Sequence, residues 1–245
     1  MHLKYLTINL EQLHPTISIR LLIRIGLTVL LLLVAALSLL SHAEAMCPTH
    51  IHNYHDCSAY HEPAILQTYP QLFLRKDNLL TVRLLNGKSV HFKDVPADSE
   101  GKNADDVVLY SVQKYFPEIN YALISLAYGE GHSAYLLNLT NGLKTLVTGD
   151  AILSPDKRRL VVWNMEIEAD YSPNILSVYR ITNKGLILEF LIEPNDWGTK
   201  TATWRNNKTI EFSKTSLMYG GYQTQTHVLR FTGKSLNLGG SWQIE

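Results

Sequence analysis

Ala151-Ile152-Leu153-Ser154-Pro155-Asp156-Lys157-Arg158-Arg159-Leu160-Val161-Val162 joins a short apolar run to a second one through a Ser-Pro-Asp turn. Proline presets the backbone angle that a turn needs, and aspartate folds its side chain back onto the turn amides. Leu160-Val161-Val162-Trp163, rich in β-branched residues, then reads as a buried strand.

Working outward, the same grammar recurs. Leu80–Leu85 runs into Asn86-Gly87 and then Lys88–Phe92; Tyr135–Leu139 runs into Asn141-Gly142 and then Leu143–Val147. An Asn-Gly pair between two alternating runs is a strong hairpin signal, because both turn positions need φ > 0. Ile175–Ile181 and Leu186–Ile192 flank Asn183-Lys184-Gly185, and His227–Phe231 precedes Thr232-Gly233-Lys234. The glycines Gly87, Gly142, Gly185 and Gly233 thus recur at intervals of roughly 40–55 residues, the period of a four-stranded blade. Residues 201–212 also lie over 151–162 without a gap, and Phe116-Pro117-Glu118 lies over Ser154-Pro155-Asp156. Between these units, residues 96–106 read as a polar loop and Val107–Phe116 fits either a helical turn or a strand. Ala64–Leu74, interrupted by Pro70, reads as an edge strand or connector.

Leu153–Val162 resembles the Ser-Pro-Asp repeat of TolB-type, WD40-like β-propellers, in which a Ser-Pro-Asp-Gly turn feeds a blade strand; here Lys157 replaces the glycine. Trp197-Gly198, Trp204 and the Asn-x-x-Ile-x-Phe ending at Phe212 are similar to uncharacterised exported bacterial proteins of that layout, a group that brings no assigned activity. The resemblance implies an all-β, propeller-like repeat of four blade-like units over residues 79–245, incomplete or closed as a small ring. A β-sandwich of antiparallel hairpins is the alternative.

The N-terminal part has a different character. Arg20 and Arg24 precede an uncharged apolar run, 25–40, and Ala43-x-Ala45 supplies small residues for a signal peptidase. That layout predicts a signal peptide over 1–45 and a periplasmic or secreted protein; an uncleaved membrane anchor is the alternative. Cys47 as a lipidated residue is rejected, because Glu44 and Met46 fit the lipoprotein motif poorly. Residues 46–78 then form an N-terminal segment that a Cys47–Cys57 disulfide closes, the default for two cysteines in an oxidising compartment. A competing reading of the same tract is a zinc or copper site on His50, His52, His55 and His61.

With 22 basic and 22 acidic residues, the chain offers no electrostatic case for nucleic acid or an anionic membrane. It contains no Gly-x-Ser-x-Gly, His-Glu-x-x-His or P-loop motif, so no catalytic residue is assigned. Glu166, Glu168 and Asp170 alternate along one stretch; they suit a calcium site, an acid/base pair or a solvated acidic edge. Asp196 beside Trp197 is a further binding-surface candidate, or a turn with a packed aromatic. The leading expectation is a non-catalytic binding module for a protein partner, with no cofactor. A metal-binding protein and a small hydrolase are the alternatives.

Overall fold

The computed structural model describes residues 54–96, 106–168, 171–233 and 242–245, all within a compact unit spanning Cys47–Glu245. After helix α1 (Tyr54–Thr68) the chain forms four sheets in succession. They are β1–β3 (Phe73–Lys76, Leu79–Arg83, Ser89–Lys93) and β4–β7 (Val108–Phe116, Tyr121–Tyr128, Gly131–Asn138, Lys144–Val147). Then come β8–β11 (Asp150–Leu153, Arg159–Asn164, Ile175–Thr182, Gly185–Ile192) and β12–β15 (Gly198–Asn206, Thr209–Met218, Gly221–Phe231, Trp242–Ile244). Every sheet is an antiparallel meander whose strand order follows the chain. The ambiguous run 107–116 is therefore strand β4.

Side-chain alternation explains how the sheets stack. Along β5, Ala122 and Ile124 join a core with Phe73, Leu80, Val82 and Phe92 of the first sheet. Tyr121 and Leu123 point the other way and join Ala151, Leu160 and Val162 of the third. Along β9, Val161 turns away from that core and meets Trp197, Ile210, Phe212 and Leu229 of the fourth sheet. Three cores in the three gaps between four consecutive sheets make a blade-like repeat, whereas a two-layer sandwich has a single such core. Among the described residues no buried cluster joins the fourth sheet to the first. The two outward faces are mainly polar: Thr81, Arg83 and His91 on the first sheet, beside exposed Leu74 and Leu79, and Thr201, Thr203, Glu211 and Ser213 on the fourth. A polar outer face is how a stacked array ends in water.

The repeat has a register. Gly142 closes β6 onto β7, Gly185 closes β10 onto β11, and Gly233 follows β14, so each stands after the third strand of its sheet. A Cβ on Gly142 would lie 2.9 Å from Leu84 Cδ1, and one on Gly185 2.9 Å from Leu143 Cδ2. These two third turns thus admit a leucine of the preceding sheet, whereas Gly233 has nothing within 4 Å. Gly87 closes β2 onto β3, so β1–β3 correspond to the last three strands of a full unit. Helix α1 stands at the head of that short sheet, packed on β4, β5 and β1.

Of the stretch 64–74, expected as an edge strand or connector, the helix takes 64–68; a turn and the start of edge strand β1 follow. The covered positions of the helix, Ser58, His61, Glu62, Ile65 and Leu66 with Tyr69 just beyond, follow the 3.6-residue period. Half of them are polar and Pro63 lies inside, so neither hydrophobic periodicity nor propensity marks it. Tertiary partners satisfy the polar half. Glu62, 7% exposed, receives a two-pronged bond from Arg75 of β1, at 2.7 and 2.9 Å. Arg75 also reaches Asp94 at 2.9 Å and the Tyr110 carbonyl. The same two carboxylates accept the β4 backbone amides of Tyr110 and Val112.

The Ser-Pro-Asp turn links β8 to β9. Ser154 Oγ accepts the Arg159 amide at 2.9 Å, and the Lys157 amide donates to the Ser154 carbonyl at 2.9 Å. Among the described residues the non-glycine positions at positive φ are Asp77, Asn120 and Lys157, each between the first two strands present in its sheet. Asp and Asn tolerate that conformation; lysine there is strained. Lys157→Gly is expected to raise stability by about 0.5–1 kcal/mol, read as a higher urea midpoint at unchanged slope. A lower midpoint would show that the lysine side chain contributes more than the strain it carries.

Candidate functional site at the second turns

Up-and-down connectivity sends the first and third turns of a sheet to one end and the second turn to the other. In the last three sheets the second turns are Tyr128–Gly131, the loop 165–174, and Met218–Gly221. The middle loop bridges the other two. A Cβ on Gly131 would lie 3.0 Å from the Tyr171 carbonyl. On the far side, Tyr222 of the fourth sheet lies beside the acidic loop: hydrogen-bonding interaction with the Glu168 carboxylate, desolvation and the charges of Glu168 and Glu166 hold its phenol above the ordinary value. Glu166 and Glu168 thus share this end of the fold with Tyr222. Asp170 lies outside the described residues.

The fourth sheet contributes most of the surface. The last β12–β13 pair is Gly198↔Thr215, whereas β13 and β14 continue through Ser216↔Gln223 and Leu217↔Tyr222 to Met218↔Gly221. A two-stranded ribbon therefore runs on past β12. Its apolar tip is in solvent: Leu217 49%, Met218 54%, Tyr219 110% and Tyr222 52% exposed, beside Tyr171 at 54%. Isolated exposed apolar side chains are ordinary; a contiguous set on a protruding tip is an interaction feature.

Beneath the loop lies a buried polar lock that sequence reading missed, because His132, Asn164 and Ser172 are far apart in the chain and match no motif. His132, at the start of β6, places Nε2 3.0 Å from Asn164 Oδ1. Asn164 Nδ2 donates to the Pro173 carbonyl at 2.9 Å, which fixes the amide orientation and makes His132 Nε2 the donor. Ser172 Oγ accepts the His132 amide at 2.9 Å and donates to the His132 carbonyl at 3.0 Å, with Nδ1 at 3.3 Å. A Ser-His-Asn set resembles a hydrolytic triad, but Ser172 is 2% exposed and its proton is directed to a carbonyl. No activated nucleophile results. The set anchors the loop that carries Glu166, Glu168 and Tyr171. Nearby, the hydroxyls of Ser111 and Ser125, opposite one another in the ladder, have no hydrogen-bond partner, so this gap between sheets turns from apolar to polar toward the second turns.

Burial lowers the His132 pKa below 6.5, against the opposing Asn164 bond and Glu166 charge. The imidazole is therefore neutral in the fold, and its contribution is fully present above about pH 6.5. As pH falls below that value the unfolded chain takes up the proton first, so stability declines until the folded-state pKa is passed. His61, also lowered by burial, with Asp150 opposing and Lys114 adding to the shift, acts with the same sign. The urea midpoint is expected to fall between pH 7.5 and 5.5, with the slope about halved in His132→Asn. An unchanged slope would assign the effect elsewhere.

The remaining candidates are scattered. Trp197 is not a surface residue: it is 7% exposed, stacks on Phe212 at 6.0 Å, and has Lys214 Nζ 5.1 Å from its centroid. Its core position corrects the expected Asp196–Trp197 pocket, and Asp196 stays exposed on the preceding turn. His50 and His52 lie outside the described residues, and of His55 only the backbone, in α1, is described. His61 sits on α1 facing Asp150 and Lys114. Among the described residues no group of three or more His, Cys, Asp or Glu is placed to hold a metal ion. Cys57 is engaged in a disulfide; Cys47, its expected partner, lies outside the described residues, as does the apolar run 25–40. A scan against family models gave no match to this chain, and a search of curated proteins gave none.

Proposed function

We propose that the protein is an exported, non-catalytic binding module that holds a protein partner on the face of the second turns. The proposed setting is the periplasm or cell envelope, with an inhibitor- or immunity-type role as its concrete form. The observation that carries the reading is the convergence of exposed aromatic and acidic side chains from three consecutive sheets, dominated by the Leu217–Tyr222 ribbon tip. Tyrosine supplies large contact area at small conformational cost, which is why it recurs at interface hot spots. The signal-like layout of 1–45 and the disulfide at Cys57 support the exported setting. The resemblance of the Ser154 turn to TolB-type propellers supports a scaffold role by analogy.

The test is a photoreactive amino acid placed at Tyr171 or Tyr219, with Ser89 on the outer face of the first sheet as control, irradiated in the native envelope. A discrete adduct from the first two positions and none from Ser89 is expected. Tyr219→Ala with Tyr222→Ala should weaken capture about tenfold or more. Equal labelling at all three positions, or none, would remove the reading.

A further inference from the structure

We propose that the partner presents a lysine- and arginine-bearing segment to this face, seated between the loop 165–174 and the β13–β14 ribbon. This rests on the binding-face reading and adds the chemistry of the partner.

The whole chain is balanced, yet residues 128–131, 164–168, 171–174 and 217–222 contain Glu130, Glu166 and Glu168 and no lysine or arginine. Glu130 and Glu168 are exposed and Glu166 is half-buried. The face is therefore locally anionic on a neutral molecule, the arrangement that steers an oppositely charged patch into register. Aromatic placement is the second, independent element. Tyr171, Tyr219 and Tyr222 are all more than half exposed, and phenol rings flanked by carboxylates receive guanidinium and ammonium groups through cation–π contact as well as ion pairing. Tyr222 and Glu168 are close enough for the carboxylate to hold the phenol above its ordinary value, and both are exposed on this face.

Shape decides between occupants. A small sugar is gripped in a concave site that covers most of its surface. Here the ribbon protrudes, with both strands exposed from Leu217 to Thr226, so the chain supplies the convex side and the partner the cleft. An anionic bilayer would meet like charge. A second copy of this chain is the other candidate, because Arg83, His91 and Lys93 lie on the outward face of the first sheet.

Two measurements test the proposal on the folded chain. In the first, a fluorescein-labelled peptide alternating lysine and arginine with glycine is titrated by anisotropy, beside a glutamate counterpart. The cationic peptide is expected to bind, to weaken about tenfold in Glu166→Lys/Glu168→Lys, and to keep its affinity when Glu245 on the opposite edge of the fourth sheet is changed to Lys. Equal binding of both peptides, or an equal effect of Glu245→Lys, would overturn the cationic assignment. In the second, peptides crosslinked at Tyr219 are sequenced. A partner segment with Lys or Arg within about five residues of the adduct is expected; an acidic or uncharged segment overturns this inference while leaving the binding face standing. No adduct at all overturns the binding face itself. A concentration-dependent dimer abolished by Glu166→Lys/Glu168→Lys would replace the partner with a second copy.

Discussion

Arg75→Ala is expected to lower stability by about 3–5 kcal/mol, among the largest effects of any single side chain here. Arg75 is the only cation bonded to both Glu62 and Asp94 among the described residues; their side chains are 9% and 15% exposed. Removing it takes from two adjacent carboxylates, largely shielded from water, the cation that bridges them, and strands the Tyr110 carbonyl that it caps. Such a loss exceeds that of an exposed pair such as Arg230–Glu245, with side chains 50% and 52% exposed. Arg75→Lys separates charge from geometry. It keeps the cation but cannot make the fork to Glu62 together with the bonds to Asp94 and Tyr110, and a loss of about 1–2 kcal/mol is expected. Urea denaturation of both variants, with Arg230→Ala as the exposed reference, checks the order. Equal losses for Arg75→Ala and Arg230→Ala would mean that the cluster is solvated and that apolar contacts alone seat the helix.

Gly149→Ala should be comparably severe for a different reason. Gly149 joins the second sheet to the third at φ +92, and a Cβ there would stand 2.0 Å from the Trp163 carbonyl oxygen and 2.8 Å from Asn164 Cβ. The obstacle is backbone of the adjacent strand, so no rotamer change relieves it. Gly87→Ala provides the control, with a similar φ of +82 and nothing within 4 Å. The control is expected to lose about 1 kcal/mol from the left-handed conformation alone, and Gly149→Ala about 3–5 kcal/mol. Because Asn164 holds His132, the lesion should also loosen the loop 165–174. Faster amide exchange is expected at Tyr171, Ser172 and Asn174 in the variant. Equal losses at the two glycines would show that the β7–β8 connection yields easily.

Much of the architecture could be read from local pattern. Asn86-Gly87, Asn141-Gly142 and Asn183-Lys184-Gly185 mark third turns because few residues other than glycine adopt their backbone angles, and the runs beside them alternate with the pleat. Periodicity also aligned 151–162 with 201–212, and the structure gives these stretches the same place, the first two strands of their sheets. Surface and core were harder to separate: Trp197 beside Asp196 looks like a ligand platform in sequence, and only the facing Phe212 and Lys214 show it to be packed.

What the sequence determined by itself was therefore the strands, their turns and the repeat, since each depends on backbone preferences and side-chain alternation within a few residues. Only the tertiary structure decided three things. Helix α1 exists because Arg75, from another element, satisfies the buried Glu62 that makes its inner face look polar. His132, Asn164 and Ser172 become one lock because two sheets stack. The acidic–aromatic face forms because turns far apart in the chain emerge at the same end of successive meanders. Hydrogen bonds and charges between distant segments have no period for a sequence to display.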